Sequence, residues 1–231
     1  MLKILQFFLV PVGFIYNTIV QIRLKLIKPY KAKVPVICIG NISLGGTGKT
    51  PFVQYLTKYF KSKKLKPAIL SRGYKGKLEY IKVNPSKHSA SNVGDEPLML
   101  ANSAPVYIGK NRAKTAQMAI KDGANILLMD DGFQNPTLHK DISFVVVDGK
   151  KWFGNHQVFP AGPLREYLSC AKKRASAFVV INSYKKVKGA KTVNVSVKTN
   201  FKADKTKKYF AFGGIGNPQK FFDTLKESGA K

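Results

Sequence analysis

Cysteine and acidic side chains are both scarce in these 231 residues. The two cysteines, Cys38 and Cys170, lie at no spacing that ligates a metal, and they exclude a disulfide framework, as suits a reducing cytosol. Asp and Glu number 12 against 40 Lys and Arg, leaving a net charge of +28. Most of that charge is lysine spread along the whole chain. Such a field attracts phosphates, acidic lipid surfaces or nucleic acid, but a solvated lysine-rich surface has the same signature, so charge alone selects no partner. Internal repeats and low-complexity segments are also absent. What is present is apolar: 44% of the residues are hydrophobic, enough to bury a core and to exclude a disordered chain. The length allows one large α/β domain, or one domain and the start of a second.

No charge interrupts residues 4–22, which carry Phe7, Phe8, Leu9, Val10, Phe14, Ile15, Ile19 and Val20. Arg23, Lys25, Lys28, Lys31 and Lys33 follow. A cleaved leader carries its positive charge first and ends in small residues, unlike this segment. A spanning helix needs about 20 strongly apolar residues, and here Gln6, Pro11, Gly13, Asn17 and Thr18 dilute the run. The pattern predicts an interfacial or shallowly inserted helix whose basic flank rests on anionic headgroups. A buried N-terminal helix is the first alternative, and a full span with a cytoplasmic body the second.

Further along, short apolar runs alternate with helix-like stretches. Residues 34–40, 67–71, 106–108, 126–129, 143–147, 177–181 and 209–212 read as strands, with a ribbon strand at 79–83. Residues 48–59, 96–102, 113–121 and 218–227 read as helices. This alternation predicts a parallel sheet covered on both faces. Residues 1–33 form the hydrophobic helix and its flank, 34–184 a core lobe, and 185–208 a linker or β-ribbon. Residues 209–231 open a second α/β lobe that ends early.

The sharpest local signal is Ser43-Leu44-Gly45-Gly46-Thr47-Gly48-Lys49-Thr50. It follows a predicted strand and opens a predicted helix, the context of a phosphate-binding loop. Glycines let backbone N–H groups turn inward around phosphates, and the helix N-terminus adds partial positive charge. Gly45, Gly46, Thr47 and Gly48 would cradle a nucleotide, Lys49 would reach its β- and γ-phosphates, and the Thr50 hydroxyl would ligate Mg²⁺. The strict pattern wants glycine where Ser43 stands. A strand then ends in Asp130-Asp131, as P-loop proteins present the acid that holds Mg²⁺, although a turn before Gly132 reads equally well in isolation.

Five stretches now stand in order: Gly40-Asn41-Ile42-Ser43-Leu44-Gly45-Gly46-Thr47-Gly48-Lys49-Thr50-Pro51, Ser71-Arg72-Gly73-Tyr74, Gly94-Asp95-Glu96-Pro97-Leu98, Asp130-Asp131-Gly132-Phe133-Gln134 and Gly162-Pro163-Leu164-Arg165-Glu166. Together they resemble the tetraacyldisaccharide 4′-kinase family of lipid A biosynthesis. Phe212-Gly213-Gly214-Ile215-Gly216-Asn217-Pro218 resembles a later strand–turn–helix of that family. The resemblance covers the chain from about residue 34 onward, and the family accepts serine at the position of Ser43. It implies a P-loop NTPase-like fold of two α/β/α lobes joined by a short ribbon, with a membrane-associated N-terminal helix. It implies ATP- and Mg²⁺-dependent phosphorylation of the 4′-hydroxyl of an acylated disaccharide 1-phosphate, giving lipid IVA at the cytoplasmic face of the bacterial inner membrane. Nucleic acid is not among the partners it implies.

The family pattern places Asp95 as the catalytic base, beside Glu96. An acidic first turn at a helix N-terminus explains the same pair. Arg72, Arg112 and Arg165 are the cations suited to phosphate oxygens, since a guanidinium fork fits them. Of these Arg112 is assigned to the nucleotide and Arg165, inside a recognised motif, to the chemistry. Glu166 either orients Arg165 or joins Thr50, Asp130 and Asp131 around the metal. Two departures stand out. Asn135 replaces a usual histidine, and the family's later histidine motif has no counterpart, since His88, His139 and His156 lie elsewhere. An imidazole orients and tunes a carboxylate, so its loss is expected to weaken the base while sparing the ATP site.

Two rival readings remain. Partitioning-type ATPases share Gly-Gly-Thr-Gly-Lys-Thr and act at membranes or DNA, but they carry lysine where this chain has Leu44. An inactive remnant that still binds nucleotide or membrane is the other.

Overall fold

The computed structural model describes residues 2–197, 203–204, 206–212 and 218–230. Strand β1 (Val36–Gly40) is buried along its whole length and pairs in parallel with β5 (Ile126–Asp130) and β6 (Ile142–Asp148). Outward on one side lie β2 (Pro67–Ser71), β4 (Val106–Ile108) and the short antiparallel β3 (Ile81–Lys82). On the other side lie β7 (Ala177–Ile181) and β8 (Thr192–Val195). The order is β3-β4-β2-β5-β1-β6-β7-β8, with β1 at the centre.

Because successive side chains point to opposite faces, β1 feeds two cores. Val36 and Cys38 join Ala116 and Ala119 of α5 (Arg112–Lys121). Ile37 and Ile39 join Val53 and Leu56 of α2 (Lys49–Ser62). Continuous apolar strands are what such a doubly covered parallel sheet requires. Burial also pushes the Cys38 thiol up to about 12, so it behaves as a small apolar core group.

Helix α1 (Leu2–Leu26) precedes the sheet. Three further helices are α3 (Ala90–Val93), α4 (Asp95–Leu100) and α6 (Leu168–Lys172), and α7 (Pro218–Glu227) forms where a closing helix was expected. Two expectations change. Residues 185–208, read as a linker or ribbon, contain β8, which continues the main sheet in parallel with β7. Residues 209–212 are not a strand: among the described residues they join no sheet, and Phe210 and Phe212 are exposed. The turn at 213–217 lies outside the described residues.

Candidate active site

The loop after β1 rises from the carboxyl end of the sheet, where open α/β sheets bind their ligands. Gly48 caps α2 with φ 87°, a left-handed conformation that glycine adopts without cost. A Cβ on Gly45 or Gly46 would meet no atom within 4 Å, so the crest of the loop is open. Asn41 braces the loop from inside, its amide donating to the Ser43 carbonyl at 2.8 Å and to Thr47 Oγ1 at 3.2 Å. Lys49 is buried within the first turn of α2.

Residues 162–166 lie against this loop as a short antiparallel partner. Leu44 N donates to the Pro163 carbonyl at 2.7 Å, Ser43 bridges Leu164, and Arg165 N donates to the Ile42 carbonyl at 2.6 Å. That zipper carries the Arg165 side chain to Asp131. Arg165 Nη1 donates to Asp131 Oδ1 at 3.0 Å and to Oδ2 at 3.1 Å, while Lys49 Nζ lies 3.5 Å from Oδ1. Burial pushes the Asp131 pKa up, but Lys49 and Arg165 outweigh it and hold the carboxyl below its ordinary range. Asp131 is itself in the left-handed region at φ 48°, rare for a residue with a Cβ and characteristic of functional turns.

Asp130 behaves in the opposite way. It is buried, and its Oδ1 has no hydrogen-bond partner. Desolvation, then the charges of Glu96 and Asp131, lift its pKa to about 7 against the opposing pull of Lys49 and Arg112. Two adjacent carboxyls are therefore shifted in opposite directions, a pattern typical of working sites.

The acidic start of α4 completes the cluster. Gly94, at φ 91°, approaches the Tyr74 carbonyl so closely that a Cβ would lie 2.5 Å from it. This turn presents Asp95 and Glu96 as exposed side chains. Glu96 Oε1 accepts from the Thr50 hydroxyl at 3.1 Å, which fixes the pair beside the phosphate loop.

Two residues expected at the site are buried and engaged by other partners. Glu166, expected around the metal, is fully buried with both oxygens engaged. Its Oε1 accepts from Gln134 Nε2 at 2.8 Å, and its Oε2 accepts from Gln21 Nε2 at 3.3 Å and pairs with Arg174. Arg112, expected to contact nucleotide, is 2% exposed and donates to the Gly109 carbonyl. Desolvation lowers its pKa to about 10 while Asp130 and Asp131 pull it up, so it acts as an interior counter-charge to the aspartates. Arg72 is exposed and reaches the cluster electrostatically, through Arg112. Asn135, at the departure from the family pattern, builds a turn: its Oδ1 accepts from Thr137 N at 2.9 Å and Thr137 Oγ1 at 2.8 Å.

Sequence reasoning missed Arg174, which stacks 4.4 Å from the Phe133 ring centroid and neutralises Glu166. It stands in a Lys-Lys-Arg run that reads as a solvated face, so only the fold reveals it.

The model of the tetraacyldisaccharide-1-P 4′-kinase family, LpxK, matches residues 5–231. The chain belongs to this family. Among its relatives, the tetraacyldisaccharide 4′-kinase of Gluconobacter oxydans is 45% identical over 228 residues, covering 95% of this chain and 69% of that one. That of Parvibaculum lavamentivorans is 41% identical over 234 residues, covering 96% of this chain and 68% of that one. A crystal structure of LpxK from Aquifex aeolicus in complex with ATP superposes with a TM-score of 0.83 at 31% identity, over 98% of this chain and 79% of that one. Membership in the tetraacyldisaccharide-1-P 4′-kinase family explains why the five stretches read from the sequence converge here. Four of them supply Lys49, Glu96, Asp131 and Arg165 to the one cluster.

Proposed function

We propose that this chain transfers the γ-phosphoryl group of ATP to the 4′-hydroxyl of an acylated disaccharide 1-phosphate. The observation that carries this reading is Asp131 held at once by Lys49 of the phosphate loop and Arg165 of the zippered segment. Two cations on one carboxylate, under an open glycine crest, suit a polyphosphate whose charge shifts during transfer. Gly45 to Thr50 would bind the phosphates through backbone N–H groups, and Lys49 would orient the γ-phosphoryl group. Arg165 would meet charge developing on its oxygens. Asp95, exposed beside the loop, would accept the sugar hydroxyl proton as that oxygen attacks phosphorus. The bond from phosphorus to the β-phosphate oxygen breaks, and ADP carries away the electron pair.

The residues also fit a divalent cation. The unpartnered Oδ1 of buried Asp130 and the Thr50 hydroxyl are oxygen donors of the kind Mg²⁺ prefers, and nucleotide phosphates would complete the shell. Among the described residues no group of three or more His, Cys, Asp or Glu side chains forms a cation site without such phosphates. Bound there, Mg²⁺ would neutralise phosphate charge.

The lipid end of the substrate accords with α1. Phe7–Leu26 is long and apolar enough to cross a membrane, yet only 11% of it is buried against the protein. Phe7, Phe8, Phe14, Ile15 and Ile19 are all more than half exposed. Apolar side chains turned outward beside a lysine and arginine flank favour a helix lying in an anionic leaflet. Such a helix suits an enzyme at the cytoplasmic face of the inner membrane, where its acylated substrate would reside.

The role of Asp95 is tested by Asp95→Asn kinetics. Turnover should fall at least ~100-fold with ATP affinity retained. A matching loss of ATP affinity would move Asp95 from base to nucleotide ligand.

A further inference from the structure

Helix α1 is inside out. Phe7, Phe8, Phe14, Ile15 and Ile19 face away from the protein, while Gly13 and Asn17 are buried against it. Gly13, Asn17 and Gln21 recur every four residues, so they share one face of the helix. That face seats on both ends of the segment that carries Arg165. A Cβ on Gly13 would lie 2.8 Å from the Val158 carbonyl oxygen, so the helix backbone rests directly on the segment's start. The Tyr16 and Phe159 rings meet edge to face at 6.1 Å beside it. At the other end, Asn17 Oδ1 accepts from Tyr167 N at 3.0 Å, and Gln21 donates to Glu166. Between these anchors, residues 163–165 zip onto the phosphate loop and Arg165 reaches Asp131. The catalytic segment is thus clamped between the phosphate loop and the helix.

We infer that Gly13, Asn17 and Gln21 are positioning residues, and that docking of α1 holds Arg165 in register with Asp131 and Lys49. The inference rests on the kinase reading of the same site. The two faces of α1 then differ in role, the outward one holding the lipid surface and the inward stripe setting the active-site arginine. Arg165 carries a flexible side chain on an irregular segment that closes on itself, Phe159 N donating to the Leu164 carbonyl and Leu164 N to the Gln157 carbonyl, so the segment moves as a unit that α1 holds at both ends. Without Asn17 the part-buried Tyr167 N–H would lose its side-chain acceptor, which favours a shift of the segment.

Two substitutions separate docking from helix formation and membrane affinity. Gly13→Ala raises helix propensity and leaves the outer face unchanged, yet forces α1 off Val158. Asn17→Leu removes the acceptor and adds apolar surface. Each should lower kcat roughly tenfold, with the KM for ATP and vesicle binding little changed and only a few degrees lost in melting temperature. On an Arg165→Ala background, either substitution should cost almost nothing more, because both act through that arginine. Hydrogen exchange of peptides spanning 158–168 should quicken in both variants, whether or not substrate is turned over. Unchanged exchange would overturn the docking. An undiminished kcat, or a loss that persists in full on the Arg165→Ala background, would overturn the positioning role. An inactive unaltered chain would instead count against the kinase reading, and exchange would still decide whether α1 holds the segment.

Discussion

Asp131 shares one carboxylate between Lys49, 3.5 Å away on α2, and Arg165, 3.0 Å away on the segment zipped to the phosphate loop. Neither cation has its full freedom while that carboxylate holds it, and neither would remain placed without it. Asp131→Asn keeps the shape and removes the charge. Turnover should fall on the order of 100-fold, as when one preorganised charge contact is removed from an active site. Arg165→Ala should cost a similar factor. The double variant should lose far less than the product of the two, because the residues work as one unit. A fully multiplicative loss in steady-state kinetics would show that they act independently.

Asp130 makes the protein pay in stability for its chemistry. Its pKa is raised from 3.8 to about 7, by desolvation first and then by Glu96 and Asp131, with Lys49 and Arg112 opposing. A carboxyl whose folded pKa is raised contributes fully below about pH 4 and loses that contribution as pH rises through 7. Asp130→Asn should therefore melt roughly 5–10 °C higher than the unaltered chain at pH 8, and at the same temperature near pH 4. Activity should be lost at both. Thermal melts across that range decide the point, and an equal gain at every pH would contradict the ionised-carboxylate account.

Glu166 serves as counter-ion to Arg174 and acceptor for two glutamine amides in this geometry. Glu166→Ala would remove the carboxylate facing Arg174 and an acceptor of the Gln134 and Gln21 amides, leaving among the described residues only the Phe133 carbonyl and ring for Arg174 and the Asn41 carbonyl for Gln134. Breaking such a buried pair from one side costs roughly 3 kcal/mol or more. Denaturant unfolding should show that loss. Unchanged stability with a raised Mg²⁺ requirement would return Glu166 to the metal shell.

The outward face of α1 predicts a clean separation of binding from folding. Replacing Phe14, Ile15 and Ile19 together by serine should abolish flotation with anionic vesicles and raise the KM for the lipid substrate. ATP binding should persist. Vesicle binding that survives the replacement would move the membrane contact elsewhere.

The site was legible in the sequence wherever a backbone constraint leaves a residue signature. Gly45 to Thr50 needs glycines and a following helix, and Asp130-Asp131 needs an apolar strand before it; both are where the pattern put them. Residues 209–212 are as apolar as a strand, but a strand exists only with a neighbour, and pairing is not written locally. Thr192–Val195 failed in reverse: half-exposed edge strands tolerate the polar residues that made it read as a linker. Arg112 and Glu166 were recognised as special, but the burial of both and the partners of Glu166 at 21, 134 and 174 are long-range facts that no local pattern carries. Gly13 and Asn17, which dilute the apolar run of α1, turn out to be its docking stripe.

The most direct test of the account is phosphoryl transfer by the purified chain. ATP, Mg²⁺ and detergent-dispersed tetraacyldisaccharide 1-phosphate would be incubated with it, with Asp95→Asn alongside, and the lipid read by mass spectrometry. The account predicts one added phosphate at the 4′ position, lost in Asp95→Asn. A chain that binds ATP yet leaves the lipid unmodified would contradict it.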